Sequence, residues 1–259
     1  MLKLSIKYIS ICLAAIGIVS LAFLFVPATT FAATVQAGKC AKNDVQCLIT
    51  FGNQAISARQ RALTVLSGKV SDQLTKGNIS NDQSAVLQAD ITTNQNNLVA
   101  LKARLDGDTN AVAARQDVEN IYTQLRIFAV VLPRDYRRLH VDIESFLDGK
   151  LKKLGPQIQQ AISSAPTAEQ AALTTLYSDY QQQLASAEGQ IDTALALFPT
   201  LTPANYNVDR STYTSNLKNL KTAEVAAHKA LHQAAQDLHQ IAQKLKASSP
   251  ATSTPTSGS

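Results

Sequence analysis

The sequence predicts an all-α fold, an elongated antiparallel helical bundle, and three observations carry that prediction. The chain is rich in Ala, Leu, Gln and Lys, has no Trp, and spreads only 10 Gly and 8 Pro over 259 residues. That is the composition of long helices rather than of a β-sandwich. Apolar residues recur in steps of three and four over long stretches, the signature of a helix with one buried face. Capping signals bracket those stretches and leave short loops, which makes successive helices antiparallel neighbours.

Breakers divide the chain into five helical segments. The first spans about 44–75 and ends at Lys76-Gly77-Asn78, where Gly77 supplies a left-handed closing residue. Ser80-Asn81-Asp82-Gln83 reads as a capping box for the second. There Leu87, Ile91, Leu98, Leu101 and Leu105 form one stripe, the seam of a coiled-coil-like packing, with Asn94 in its gap. Asp106-Gly107-Asp108 stops this helix, and Asp108 or Thr109 is expected to cap the next.

The third segment is long and interrupted. Val118, Ile121, Leu125 and Phe128 precede Pro133, and Tyr136, Leu139, Ile143, Phe146, Leu147, Leu151 and Leu154 follow it. A proline inside a helix removes a hydrogen bond and clashes with the carbonyl four residues back, so a kink is expected there. Thr167-Ala168-Glu169-Gln170 reads as another capping box, opening the fourth helix. The fifth starts near Asp209 and runs to about 247, with Leu217, Leu220, Ala227, Leu231, Ala234, Leu238, Ile241 and Leu245 in register and Glu224 breaking the seam.

The long third segment suggests two three-helix bundles that share it, 44–133 and 134–247, with a single five-helix bundle as the alternative. A Ser/Thr/Pro tail, 248–259, has nothing to bury and is expected to be disordered.

The N-terminus carries Lys3 and Lys7, an apolar run from Ile9 to Val26, and then Thr30-Phe31-Ala32-Ala33. This is the plan of a secretory signal over 1–32 with cleavage after Ala32, followed by a short linker, 33–43. An uncleaved anchor is the competing reading, because the run falls within the roughly 17 to 25 residues that span a bilayer. In both cases the rest of the chain is expected outside the cytoplasm, secreted or in the cell envelope. Cys40 and Cys47, an even pair in an oxidising exterior, read as a disulfide that would constrain the unfolded chain by about 2 to 3 kcal/mol.

Of 24 basic and 19 acidic side chains, only Lys3 and Lys7 precede Ala33, so the mature chain keeps 22 against 19, a net charge of +3. A balanced surface argues against nucleic acid, which needs a concentrated basic face. Aromatic residues make up 5% of the chain, too few to favour a module that stacks rings on sugars.

Three constellations hold possible chemistry. Glu224, His228 and His232 follow one another at i, i+4 spacing on the last helix, a metal- or proton-sensing face if turned to a ligand and a solvated flank otherwise. His239 lies on the same stripe but about 10.5 Å beyond His232. His228-Lys229-Ala230-Leu231-His232 has the spacing of a zinc-protease helix, yet Lys229 stands where that chemistry needs a glutamate base. The run Ile127, Phe128, Ala129, Val130, Val131, Leu132 is apolar all round, which suits burial from several sides, or else a membrane or partner contact. Arg134, Arg137 and Arg138 follow it as a basic cluster, read as a solvated face or a contact for anionic polymer.

The stretch from Arg126 to Pro133, with the Ala/His/Leu/Gln-rich last helix and the signal, resembles a group of uncharacterised secreted helical proteins of bacteria. That resemblance implies export and helices, and no activity. No catalytic residues and no cofactor are expected. The sequence thus points to a non-enzymatic helical scaffold or spacer with an unidentified envelope or extracellular protein partner. The alternatives are a metal- or pH-responsive binding protein and a membrane-active helical protein.

Overall fold

The computed structural model describes residues 40, 41 and 43–248, and nearly all of them are helical with no strand among them. In chain order the helices are α1 (Val45–Thr75), α2 (Asn81–Asp106), α3 (Ala111–Thr123), α4 (Leu132–Lys152), α5 (Gly155–Ser163), α6 (Thr167–Leu197), α7 (Pro203–Val208) and α8 (Arg210–Ala247). A π-helical turn, Ile127–Val131, leads into α4, and a 3-10 turn, Phe198–Thr200, follows α6. The expectations for the signal, the anchor, the linker up to Lys39 and the tail from Ser249 lie outside the described residues. Among the described residues no helix is long and apolar enough to cross a membrane.

The sequence signals account for most helix ends. Asp44 accepts the Cys47 amide at 2.9 Å and starts α1, while the sulfurs of Cys40 and Cys47 lie at disulfide distance across that first turn. Gly77 sits at φ +65°, and the Asn78 amide reaches back to the Gln73 carbonyl at 2.9 Å, closing α1 as a left-handed cap should. Ser80 and Gln83 exchange side-chain and backbone hydrogen bonds as a full capping box. Asp209 accepts the Ser211 and Thr212 amides at the head of α8.

Three local expectations are corrected. Asn110, not Asp108 or Thr109, caps α3, its side chain accepting from Val112 and Ala113. At the head of α6, the Gln170 amide nitrogen turns back to the Ser163 and Ala165 carbonyls at the end of the preceding helix. The interruption expected at Pro133 lies upstream of it. The chain breaks after Thr123, Arg126 adopts a left-handed φ of 41°, and Pro133 occupies the second position of α4. The π-helical turn runs straight into α4, so Pro133 forgoes one backbone hydrogen bond, and the wider i to i+5 turn ahead of it eases the clash with the carbonyl four residues back.

A left-handed non-glycine residue costs on the order of 1–2 kcal/mol, and α7 holds it in place. Arg126 Nε donates to Asn207 Oδ1 at 2.5 Å, its guanidinium lies 4.4 Å from the Tyr206 ring centre, and Asn207 donates to the Thr123 carbonyl at 2.7 Å.

The chain divides into two compact units, and the division does not fall at Pro133. One unit takes the described residues up to Phe146 together with Ile191–Glu224; the other takes Leu147–Gln190 and the residues from Val225 on. The boundaries lie inside α4, α6 and α8. In the first unit α1, α2 and α3 pack on one another. Its core holds Leu48, Ile56, Leu63 and Leu66 of α1, the predicted α2 stripe of Leu87, Ile91, Leu98, Leu101 and Leu105, and Val118 and Ile121 of α3. In the second, Leu151, Ile158 and Ile162 pack with Leu173, Tyr180 and Leu184 of α6 and with Leu231, Leu238, Ile241 and Leu245 of α8. Buried Tyr180 anchors this core by donating to the Leu151 carbonyl at 2.6 Å.

Close helix approach leaves no free space for a side chain at Gly52. A Cβ on Gly52 of α1 would come within 2.4 Å of Leu105 Cδ2 and 3.1 Å of Val118 Cγ2, whereas one on Gly68 of the same helix meets nothing within 4 Å. Gly52→Ala should therefore destabilise the protein by about 1–3 kcal/mol through overpacking. Gly68→Ala should stabilise it by about 0.5–1 kcal/mol through helix propensity. Urea unfolding midpoints of the two variants check this pair of opposite signs.

Candidate functional site

The most unusual feature of the first unit is a helix that is buried and charged at once. Every side chain position from Leu132 to Gly149 of α4 is buried or half-buried. Yet its first four turns carry Arg134, Asp135, Arg137, Arg138, His140, Asp142 and Glu144. Burying a charge is costly unless an opposite charge or hydrogen bonds answer it, and each arginine here is answered.

Arg134 bridges two carboxylates, bonding Asp90 of α2 through Nη2 and Asp135 through Nε at 2.7 Å. Asn94, which filled the gap in the α2 stripe, donates to the Asp90 carboxylate at 3.2 Å and steadies it. Arg138 donates to Asp142 Oδ1 at 3.0 Å and lies 5.3 Å from the Phe198 ring centre. Gln83, already used in the capping box, also donates to the Asp142 carbonyl at 3.0 Å and ties α2 to α4.

Arg137 donates to Glu224 Oε2 of α8, and the other carboxylate oxygen, Oε1, lies 3.0 Å from His140 Nδ1. One turn along α4, Glu144 Oε1 stands 3.9 Å from His140 Nε2. The imidazole is thus flanked by a carboxylate at each ring nitrogen.

These surroundings shift the acids towards neutrality. Burial pushes the Asp135 carboxyl up to about 7, against the pull of Arg134, because one guanidinium serves two carboxylates and Asp90 adds repulsion. Burial likewise raises Asp142 to about 6 against Arg138, and Glu144 to about 7 against His140. For His140, burial opposes protonation, but Glu224 and Glu144 outweigh it and hold the imidazole above its ordinary value.

The residues singled out from sequence occupy several different settings. Ile127 and Val131 are fully buried and Phe128 is half-buried, so the apolar run is used in packing. Arg134, Arg137 and Arg138, expected as a solvated face, keep only 13%, 28% and 25% of their side-chain exposure and are paired inward. Glu224 is buried and joins this network, while His228 is half-buried and His232 and His239 are exposed. The structure thus brings Glu224 together with Arg137 and His140, a pairing that the stripe on α8 did not suggest.

Sequence reasoning missed His140, Asp135, Asp142 and Glu144. The available signal was the spacing of Arg138 with Asp142 and of His140 with Glu144, opposite charges one turn apart on a helix with no free polar face. It missed Arg59 too. That residue is 5% exposed, with its guanidinium 4.5 Å from the Tyr122 ring centre and 4.8 Å from that of Phe128. Burial lowers its pKa.

The raised acids fix the direction of a pH dependence. A carboxyl whose folded pKa lies above its unfolded value holds its proton more tightly in the native state, so the stabilisation is complete below the unfolded pKa and is lost as pH rises through the folded one. For Asp135 that window runs from about 4, the unfolded value, to about 7. Thermal melts across it should show stability falling with rising pH. Asp135→Asn should flatten the profile by up to about 1.4 kcal/mol per pH unit. An unchanged slope in that variant would remove Asp135 as its source.

No protein-family model, curated protein or solved structure matches this chain.

Proposed function

We propose that this chain is a non-enzymatic secreted or cell-envelope helical protein that serves as a spacer or protein-interaction scaffold. The observation that carries the reading is how α4 uses its charge. Arg134, Arg137 and Arg138 each bond a carboxylate, two of them on other helices. The chain's densest polar chemistry therefore joins helix to helix and leaves the outer faces of α1, α2 and α6 for contact with other molecules. The signal-like N-terminus and the paired Cys40 and Cys47 support a location outside the cytoplasm.

Expression with the native N-terminus, followed by cell fractionation and intact-mass analysis, should recover a chain that starts at Ala33 in the medium or envelope. Cross-linking there should capture a stoichiometric partner, and deletion should alter the envelope. A chain retained in the cytoplasm, or an envelope chain with neither partner nor deletion phenotype, would refute the proposal.

A second reading, a metal- or pH-responsive binding protein, draws on one observation, the imidazole of His140 held between Glu224 and Glu144.

A further inference from the structure

We propose that Arg126, Arg210, Lys218 and Lys221 of the first unit form a basic stripe that binds a linear phosphate-bearing polymer. The stripe lies outside the α4 network and depends on neither reading above.

The cations of the first unit fall into different settings. Arg134, Arg137 and Arg138 are taken up by carboxylates. Arg126, Arg210, Lys218 and Lys221 make no ion pair among the described residues. Local composition accounts for this. From Thr193 to Ala223 the only acid is Asp209, and its carboxylate accepts from the Ser211 and Thr212 amides and the Thr212 hydroxyl. Glu224, the next acid along α8, is buried against Arg137 and His140.

Helical period aligns the three cations of α8. Lys221 stands about 20° and Lys218 about 80° round the helix from Arg210, and Lys221 lies about 16.5 Å along the axis. All three are exposed, and Ser211, Thr214, Ser215 and Thr222 beside them are exposed hydroxyls that suit a hydrogen-bonding chain better than the acyl chains of a lipid. At the head of the row Tyr206 gathers two guanidinium groups, with Arg126 4.4 Å and Arg210 5.4 Å from its ring centre. The ring face attracts each cation, but two like charges held on one ring repel, and an anion beside them relieves that repulsion.

Arg126 is the sole non-glycine residue with positive φ among the described residues, and it heads the π-helical turn. Such strain survives only where surrounding contacts over-determine it, and both strained residues and π-turns gather at functional sites. Asn207 holds its Nε, while Nη1 and Nη2 donate to no acceptor among the described residues. A guanidinium fork matches a phosphate with two hydrogen bonds, and lysine meets it as a point charge. The row is longer than one phosphate can touch, so its occupant is a chain of such groups.

The test is fluorescence anisotropy of labelled linear polyphosphate, titrated with the purified mature chain over a series of salt concentrations. The wild type should bind at low salt, with log affinity falling against log salt at a slope of about −3 for four phosphate contacts. Arg210→Gln combined with Lys221→Gln should weaken binding at least tenfold and flatten the slope by about 1.5. Arg126→Gln should flatten it by about 0.8, with circular dichroism as the folding control; the exposed pair on α8 carries the test where that variant misfolds. Lys244→Gln combined with Lys246→Gln removes the same charge from the last turn of α8 and should bind as the wild type does.

Absence of binding at low salt, equal losses in the two double variants, or displacement of the polymer by inorganic phosphate at matched phosphate concentration would each overturn the stripe. Tighter binding of polyglutamate would overturn the phosphate class. Binding to phosphatidylglycerol vesicles with none to polyphosphate would overturn the proposal in favour of a lipid surface.

Discussion

Charge neutralisation along α4 is the constraint to which the rest of the first unit answers. Cationic and anionic side chains enter the interior on this helix, and an ion left alone there costs several kcal/mol. Satisfying them requires Asp90 at one height of α2, Glu224 at one height of α8 and Gln83 at the start of α2, each within bonding distance of a defined position on α4. Greasy contacts could slide by a turn at little cost. Directional ion pairs cannot, so they set the register in which the apolar seams meet.

The turn ahead of α4 delivers those side chains at the right phase. The π-helical turn adds a residue to the local hydrogen-bond ring, which rotates the succeeding residues of α4 relative to a plain α-helix. Ile127, Val130 and Val131 then face the core, and the arginines beyond Pro133 face their acids. The left-handed Arg126 at its head is a strained residue held by Asn207 and Tyr206 of α7. A short helix remote in sequence thereby stabilises the geometry from which α4 starts.

Two breaks in otherwise regular apolar stripes coincide with the points where α4 is received. Asn94 interrupts the α2 stripe and supports Asp90; Glu224 interrupts the α8 seam and takes Arg137 and His140. A polar residue in a seam lowers stability unless it has a partner; Asn94 bonds Asp90 one turn back on its own helix, and Glu224 finds its partners on α4, far away in the chain. The same placement explains the near-neutral acids. Burial raises them, and the neighbouring cations are shared among too many carboxylates to bring them back.

Taken alone, the sequence determined the all-α class, the stripes of α2 and α8, the Ser80–Gln83 capping box, the left-handed Gly77 and the Cys40–Cys47 pairing. All of these rest on residues close together in the chain, whose geometry follows from helical period and backbone sterics. Tertiary structure alone decided that Arg134, Arg137 and Arg138 turn inward, that Glu224 meets Arg137 and His140, and that the break falls at Arg126 instead of Pro133. Apart from the Arg138 pair with Asp142 one turn away, those outcomes depend on partners 44, 84 and 87 residues away and on the arginine-to-asparagine contact spanning 81 residues. A local pattern shows which side of a helix is apolar, but the charge that faces a given position is set only when the helices pack.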